Sequence, residues 1–497
     1  MNSKKVNICL SGGGFRAAFF HLGALYALAQ SNKLAESSLL VTVSGGSIAA
    51  AFLMAELAKS SIRNDLTKTC DFEKAVINAY INLWKFSRDN PRARSIGSVR
   101  ALSSLLVQGE FGFGKAMARQ YGRALSKGFD LLNFPMGWIN LPEWRIATSD
   151  YLTGRRTLVV ANQHLRHRSG NANYLTVRGN DIYRALAASS AVPGVFEPIQ
   201  ISGHYLGDGG ILDNQGIREM QSLTGENICI DASAPLFDKK KQNSWGTILR
   251  AMDMLMEQSR DDGMRSVSAT IISLRADKGE ISDAGPFGHL LPMMRTDLDY
   301  FSSIEAAILF LSGFKKAGGS EIRDSYFNDN LEACLWRLLN STSLTVSQQE
   351  IVKEINEHLD RGRYRMFSWL RKFSWLSVIA GLNNFFSSAG VVYMVFSYLV
   401  LALYLLVRAV PADLSISKFV AVVWLFLSLI LYLTGGGLAL ENRGRRVLGF
   451  FRALCFAPVI IPFSLLAVGF KAAWLSPTRD YGLSRKVMSK LGIEDIG

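Results

Sequence analysis

The chain has 497 residues, 49% of them hydrophobic and only 19% charged, and carries a formal net charge of +14. That apolar share is high for a soluble protein and points to membrane contact, while the basic balance suits either nucleic acid or an anionic membrane surface. The five cysteines, Cys9, Cys70, Cys229, Cys334 and Cys455, are odd in number and widely spaced, which excludes a disulfide framework or a zinc spacing and fits a reducing compartment.

The N-terminus does not read as a signal peptide, because the apolar run that starts at Val6 breaks at Ser11 and three glycines. Val6–Leu10 is instead a short predicted strand. It runs into Ser11-Gly12-Gly13-Gly14, and a helix follows from about Phe15. Leu39–Val43 is a second predicted strand, running into a helix from about Gly46. Nine basic residues between Lys85 and Lys127, against Asp89 and Glu110, form a basic stretch. "DIYRALAASSAVPGVF" predicts a helix that ends before Pro193, and "GHYLGDGG" a strand and turn that carry an acid. Short apolar runs alternating with helical stretches indicate an α/β domain up to residue 372. Residues 235–372 hold no recognisable motif and are expected as a helical extension.

The composition changes near residue 373. Ala389–Val407 and Phe419–Ala439 are uncharged and long enough to span a bilayer, which needs about 20 apolar residues. Ala453–Phe470 is shorter and carries Pro458 and Pro462, which disrupt helical hydrogen bonding. We therefore expect a membrane region over residues 373–475 with two or three helices, then a basic tail, 476–497. Basic residues favour the cytoplasmic side. Arg361, Arg363, Arg365, Arg371 and Lys372 precede the first run, and Arg443, Arg445 and Arg446 follow the second. This arrangement puts the part before residue 373 in the cytoplasm as part of an integral membrane protein. The tail's Lys471, Arg479, Arg485, Lys486 and Lys490 argue that the third run does not cross.

Ser44, with Gly45 and Gly46 behind it, stands at a strand-to-helix junction, the setting in which a strained turn exposes a nucleophilic hydroxyl. The usual pattern is G-x-S-x-G, and here Thr42 takes the first small position. A serine needs a base, and none of His21, His164, His167, His204, His289 and His358 lies in a triad pattern. His21 is expected to pack or cap within the first helix, and His164 and His167 to lie at the surface. Asp208, between Gly207 and Gly209-Gly210, is a carboxylate that can approach another backbone closely.

Together "SGGGFR", "VSGGS" and "DGG", with "IATSDYLTGR" and "ASSAVPGVFEPI" between them, resemble the patatin-like phospholipase family, in order and spacing over residues 5–220. The resemblance implies a three-layer α/β/α domain and a Ser–Asp dyad, with Ser44 as nucleophile and Asp208 as base. It also implies an oxyanion site at Gly12, Gly13 and Gly14, where backbone N–H groups meet developing charge at a helix N-terminus. Arg16 either binds a substrate phosphate or braces the loop, and Ser47 is the next nucleophile candidate. A dinucleotide loop would require G-x-G-x-x-G, which "SGGG" does not supply.

The expected function is a membrane-anchored serine acyl hydrolase that cleaves acyl esters of glycerophospholipids, with no cofactor and no metal. Its expected partners are membrane phospholipids and an anionic membrane surface rather than nucleic acid. The alternatives are a lysophospholipid or neutral-lipid hydrolase with the same dyad, or an idle membrane scaffold or sensor.

Overall fold

The computed structural model describes residues 6–61, 69–96, 104, 112–129, 141–161, 172–193, 196–221, 223–236, 244–275, 285–323, 331–341, 343–363, 483–491 and 493. In chain order the strands and first helices are β1 (Val6–Leu10), α1 (Gly14–Gln30), β2 (Ser37–Val43), α2 (Gly45–Ser61), α3 (Thr69–Arg88), α4 (Pro91–Ile96) and α5 (Phe113–Phe129). Next come β3 (Glu143–Asp150), β4 (Arg155–Val160), β5 (Ala172–Thr176), α6 (Asn180–Ser189), β6 (Ile199–Ile201), β7 (His204–Asp208) and β8 (Glu226–Asp231). The chain continues with α7 (Ser244–Ser266), β9 (Thr270–Ser273), α8 (Ser303–Lys316), α9 (Leu331–Asn340), α10 (Val346–Gly362) and α11 (Leu483–Lys490).

The sheet runs β5-β4-β3-β2-β1-β8-β9, with the β6–β7 hairpin attached through β7 to β3. β2, β1, β8 and β9 lie parallel to one another and to β3, while β4 and β7 run antiparallel to β3. Strand residues alternate between two cores, as a period of two requires. Ile8 and Leu10 of β1 and Ile228 and Ile230 of β8 join the larger cluster, under α1, α2, α3 and α8. Cys9, Val41, Val43 and Cys229 join a smaller one with Ile217, Met220 and Met264. Helices thus cover one face broadly, and the Ile217–Met220 turn and the end of α7 meet the other.

Residues 235–372 are not a helical extension alone. Thr270–Ser273 adds a parallel strand beside β8, and α8 lies in the middle of the larger core with Ile308, Phe310 and Phe314 fully buried. No short motif announces this segment because its contribution is packing. Ser302 and Glu305 form a reciprocal cap at the start of α8, which closes two free donors of the first turn. Beyond the apolar runs, α11 packs on α10: Val487 is fully buried and Lys490 pairs with Glu350 and Glu354 at 2.9 Å.

Among the described residues no helix is long and apolar enough to cross a membrane. The runs at 389–407, 419–439 and 453–470, and most of the expected 373–475 and 476–497 regions, lie outside the described residues, as do His164 and His167.

Where α1 crosses α8 the two backbones touch. A Cβ on Gly23 would sit 1.8 Å from the Phe310 carbonyl oxygen, and one on Gly313 2.0 Å from that of Phe20. Only hydrogens fit at those positions. Gly23→Ala should therefore destabilise the domain by about 1–3 kcal/mol, the usual cost of overpacking a close-packed interior. Thermal unfolding would check this, and a native-like melting temperature would contradict the packing.

Candidate active site

The geometry follows from β3. Its first half pairs with β2 through Val43↔Ala147, and β7 takes over the same edge from Thr148↔Asp208. β2 runs parallel to β3 and β7 antiparallel, so the two C-terminal ends meet head to head. Ser44 follows the last residue of β2 and Asp208 is the last residue of β7. Ser44 Oγ donates to Asp208 Oδ2 at 3.1 Å, across 164 residues of sequence. Both are buried, at 7% and 6% exposure.

Ser44 adopts φ +47°, a left-handed conformation that a non-glycine residue holds only when its surroundings impose it. The surroundings here are specific. A Cβ on Gly45 would fall 2.2 Å from Gly14 O, and one on Gly46 2.5 Å from Leu10 O. The Ser44 amide donates to Ser189 Oγ at 2.9 Å, and Ser189 donates onward to Ala147 O at 2.8 Å. Ser47, the reserve nucleophile, does not contact Asp208. Its hydroxyl lies 3.0 Å from both Thr42 Oγ1 and Ser189 Oγ. Thr42, in the position usually held by a smaller residue, also accepts from Trp144 Nε1 at 3.0 Å, so its hydroxyl is a fixed part of the turn.

Asp208 is held by its Oδ1, which accepts from Gly210 N at 2.8 Å, and by its carbonyl, which accepts from Ser149 Oγ at 2.8 Å. Burial pushes its carboxyl up to about 6, opposed by the Gly210 amide and the Ser44 hydroxyl. Among the described residues no histidine is hydrogen-bonded to either group. His21 is fully buried with Nε2 2.9 Å from Ser11 O, and burial lowers it to about 4. His204 pairs with Asp150 at 2.8 Å, and His358 lies 2.8 Å from Ser302 Oγ.

The glycine loop passes directly beside the pair. A Cβ on Gly12 would lie 3.4 Å from Ser44 Cβ and 2.4 Å from Asn214 Oδ1. Gly13 (φ +138°) and Gly14 (φ +59°) both hold conformations that suit glycine. The Gly12 amide, however, is already donated to Asn214 O at 2.9 Å. This corrects the expectation that all three glycines offer N–H groups, and it leaves those of Gly13 and Gly14. Gly14 and Gly45 begin α1 and α2, so two positive helix ends converge on the same spot. Arg16 lies beneath them, fully buried. Its guanidinium donates to Pro292 O, Met294 O and Ala232 O at 2.9, 3.0 and 2.6 Å, the arrangement of a brace for the loop rather than of a group that faces a ligand. Ser11 ties the loop down, accepting from Ala232 N at 2.8 Å through Oγ and from Gly46 N at 3.1 Å through its carbonyl.

Sequence reasoning missed Ser189, Ser11 and Asn214. Ser11 opens "SGGGFR" and Ser189 lies inside "ASSAVPGVFEPI", while Asn214 follows "DGG" by four residues, but nothing in the sequence distinguishes them from ordinary turn residues. Together the parts make a hydroxyl beside a carboxylate of near-neutral pKa, facing two helix N-termini: a device for acyl transfer. Among the described residues no cluster of side chains could hold a metal ion.

Residues 8–220 match the family model described as Patatin-like phospholipase. No curated protein matches the chain. Among solved structures the chain is similar to the crystal structure of VipD from Legionella pneumophila, with 15% identity, 92% of each chain covered and a TM-score of 0.31. It is also similar to that of the type III effector protein ExoU, with 12% identity, 98% of this chain and 85% of that chain covered and a TM-score of 0.25.

Because the folded pKa of Asp208 lies above the ordinary 3.8, the folded chain holds a proton between those values that the unfolded chain has lost. Stability from this group therefore falls as pH rises from about 4 to about 6, and the deficit persists above. Asp208→Asn should raise the melting temperature at pH 7 and lose that advantage near pH 4. A destabilised variant at pH 7 would contradict the electrostatics described.

Proposed function

From the premise that residues 8–220 belong to the patatin-like phospholipase family, and that the protein is a lipid acyl hydrolase, we propose that Ser44 and Asp208 cleave acyl esters of glycerophospholipids. The observation that carries this reading is the 3.1 Å contact between Ser44 Oγ and Asp208 Oδ2 at a left-handed serine turn.

Ser44 Oγ attacks the ester carbonyl carbon while its proton passes to Asp208 Oδ2, and the carbonyl electron pair moves onto oxygen. The amides of Gly13 and Gly14 receive that oxyanion, a donor of this kind being worth a few kcal/mol in the transition state. Collapse re-forms the carbonyl and breaks the bond to the alcohol, which leaves with the proton from Asp208. Water then attacks the acyl–Ser44 ester, giving its proton to Asp208. The second collapse releases the fatty acid and restores the serine. A carboxyl near 6 is well matched to this exchange, since a base with a pKa close to the working pH is ionised yet still takes protons.

The apolar runs after residue 373 would hold the enzyme on its insoluble substrate and so raise the effective concentration. The packing of α11 on α10 supports an even number of crossings, because both flanks of the apolar segment then lie on one side of the membrane. The basic loops favour the cytoplasmic side.

Ser44→Ala and Asp208→Asn should each remove nearly all esterase activity, and the double variant should lose little more, as residues that act as a unit do. Near-normal turnover by Ser44→Ala would overturn the mechanism. Native activity should rise as pH passes about 6 and fade below it, since only the ionised Asp208 accepts the proton; a flat profile from pH 5 to 8 would contradict the role of Asp208 as base. Gly13→Ala should lower kcat on the order of 10²-fold with KM less affected, and a KM-only effect would argue against the Gly13 amide as donor.

A further inference from the structure

Nine large hydrophobic side chains among the described residues are exposed, and four of them, Tyr151 (48%), Leu152 (63%), Val192 (42%) and Tyr205 (42%), fall on segments that meet beside Asp208. Tyr151 and Leu152 begin the β3–β4 turn. Tyr205 lies across the ladder from Tyr151, whose amide donates to Tyr205 O at 2.9 Å. Val192 follows Ala191, whose carbonyl accepts from Asp208 N at 3.2 Å. A Cβ on Gly207, next to Asp208, would strike the Tyr151 ring at 2.4 Å, and partial burial of the phenol, together with the Asp208 charge, raises Tyr151. The patch is therefore a rim just past the C-terminal end of β3, three residues beyond Thr148, the rung at which Asp208 pairs, and on the side of the sheet toward which β2 ends.

Apolar residues thus exposed on a flexible loop would be unremarkable, but this turn is fastened. Asp150, 1% exposed, accepts from Leu152 N at 3.0 Å and Thr153 Oγ1 at 2.9 Å, and pairs with His204. The charge is also sorted. Asp150 and Asp208 point inward, and Glu197 accepts from Phe113 N and Gly114 N at the start of α5. Arg155, exposed at the end of the turn, makes no ion pair among the described residues. Two tyrosines, two aliphatic side chains and one outward cation around a site suit the boundary between lipid headgroups and acyl chains, where tyrosine concentrates and cations meet phosphate.

We propose that the rim of Tyr151, Leu152, Val192 and Tyr205, with Arg155, docks the active site onto a phospholipid bilayer surface. This rests on the hydrolase reading above and adds to it how the acyl ester reaches Ser44. Leu152 and Val192 enter the acyl region, and the site mouth faces the membrane. The apolar runs tether the chain, and the rim orients it.

The test uses the full chain reconstituted into phosphatidylcholine–phosphatidylglycerol vesicles, assayed both on vesicle phospholipid and on a soluble short-chain nitrophenyl ester. The Leu152→Asp/Val192→Asp variant should lose about 10-fold or more of the vesicle rate, the order expected when buried aliphatic side chains are withdrawn from lipid. It should keep the soluble-ester rate within about twofold, which also reports an intact fold. Leu152→Ile should keep both rates. An unchanged vesicle rate overturns the proposal, and if the variant also sediments as a smaller species, the occupant of the rim is a second copy of the chain. A parallel fall in both rates overturns it too, making the rim part of the site's structure. If Ser44→Ala still hydrolyses the soluble ester, the hydrolase reading itself fails, independently of the rim.

Discussion

β3 carries two strands of opposite direction, one after the other, on a single edge, and the site depends on that arrangement. β2 pairs with it as far as Val43↔Ala147 and β7 from Thr148↔Asp208 onward. Because the ends meet at neighbouring rungs of one ladder, the hydroxyl and the carboxylate are placed by backbone hydrogen bonds rather than by flexible side chains. Ser189 reinforces the same junction, since it receives the Ser44 amide and donates to Ala147, the last rung of the β2 pairing. The strain of a serine at φ +47° is absorbed by this network and by the glycines behind it.

The electrostatics follow from the same packing. A carboxylate so deeply buried would normally be paired with a cation, as Asp213 is with Arg156 and Asp231 with Arg260. Asp208 has instead one backbone amide and one hydroxyl, so it titrates near 6. The site thus holds a destabilised acid that a more stable design would have neutralised, a form of the common trade between stability and function. Arg16 is spent on carbonyls beneath the loop, and the positive field comes from the starts of α1 and α2.

Much of this was legible in the sequence. Both strand–turn–helix units could be read because short apolar runs stop at glycines, and the structure has β1, α1, β2 and α2 within two residues of their expected starts. The glycines themselves were informative, since Gly14, Gly45, Gly46 and Gly209 stand where backbone meets backbone. What could not be read are relations between distant segments. Ser189 reaches Ser44 across 145 residues, and a serine in an Ala-rich helix end carries no sign of that. The spent amide of Gly12 depends on the position of Asn214 O, which no spacing reveals. The contribution of residues 235–372 to sheet and core was hidden for the same reason: β9 is a four-residue strand and α8 packs through ordinary aliphatic and aromatic side chains.

The central claim is that Ser44 is the nucleophile and that Asp208 activates it. The most direct measurement is the rate and site of covalent labelling by a fluorophosphonate, read by intact mass and peptide mapping. The account predicts a single adduct on the peptide containing Ser44, formed at a rate that rises as pH passes about 6 and falling by orders of magnitude in Asp208→Asn. An adduct on another residue, or labelling of Ser44 at an undiminished rate in Asp208→Asn, would contradict it.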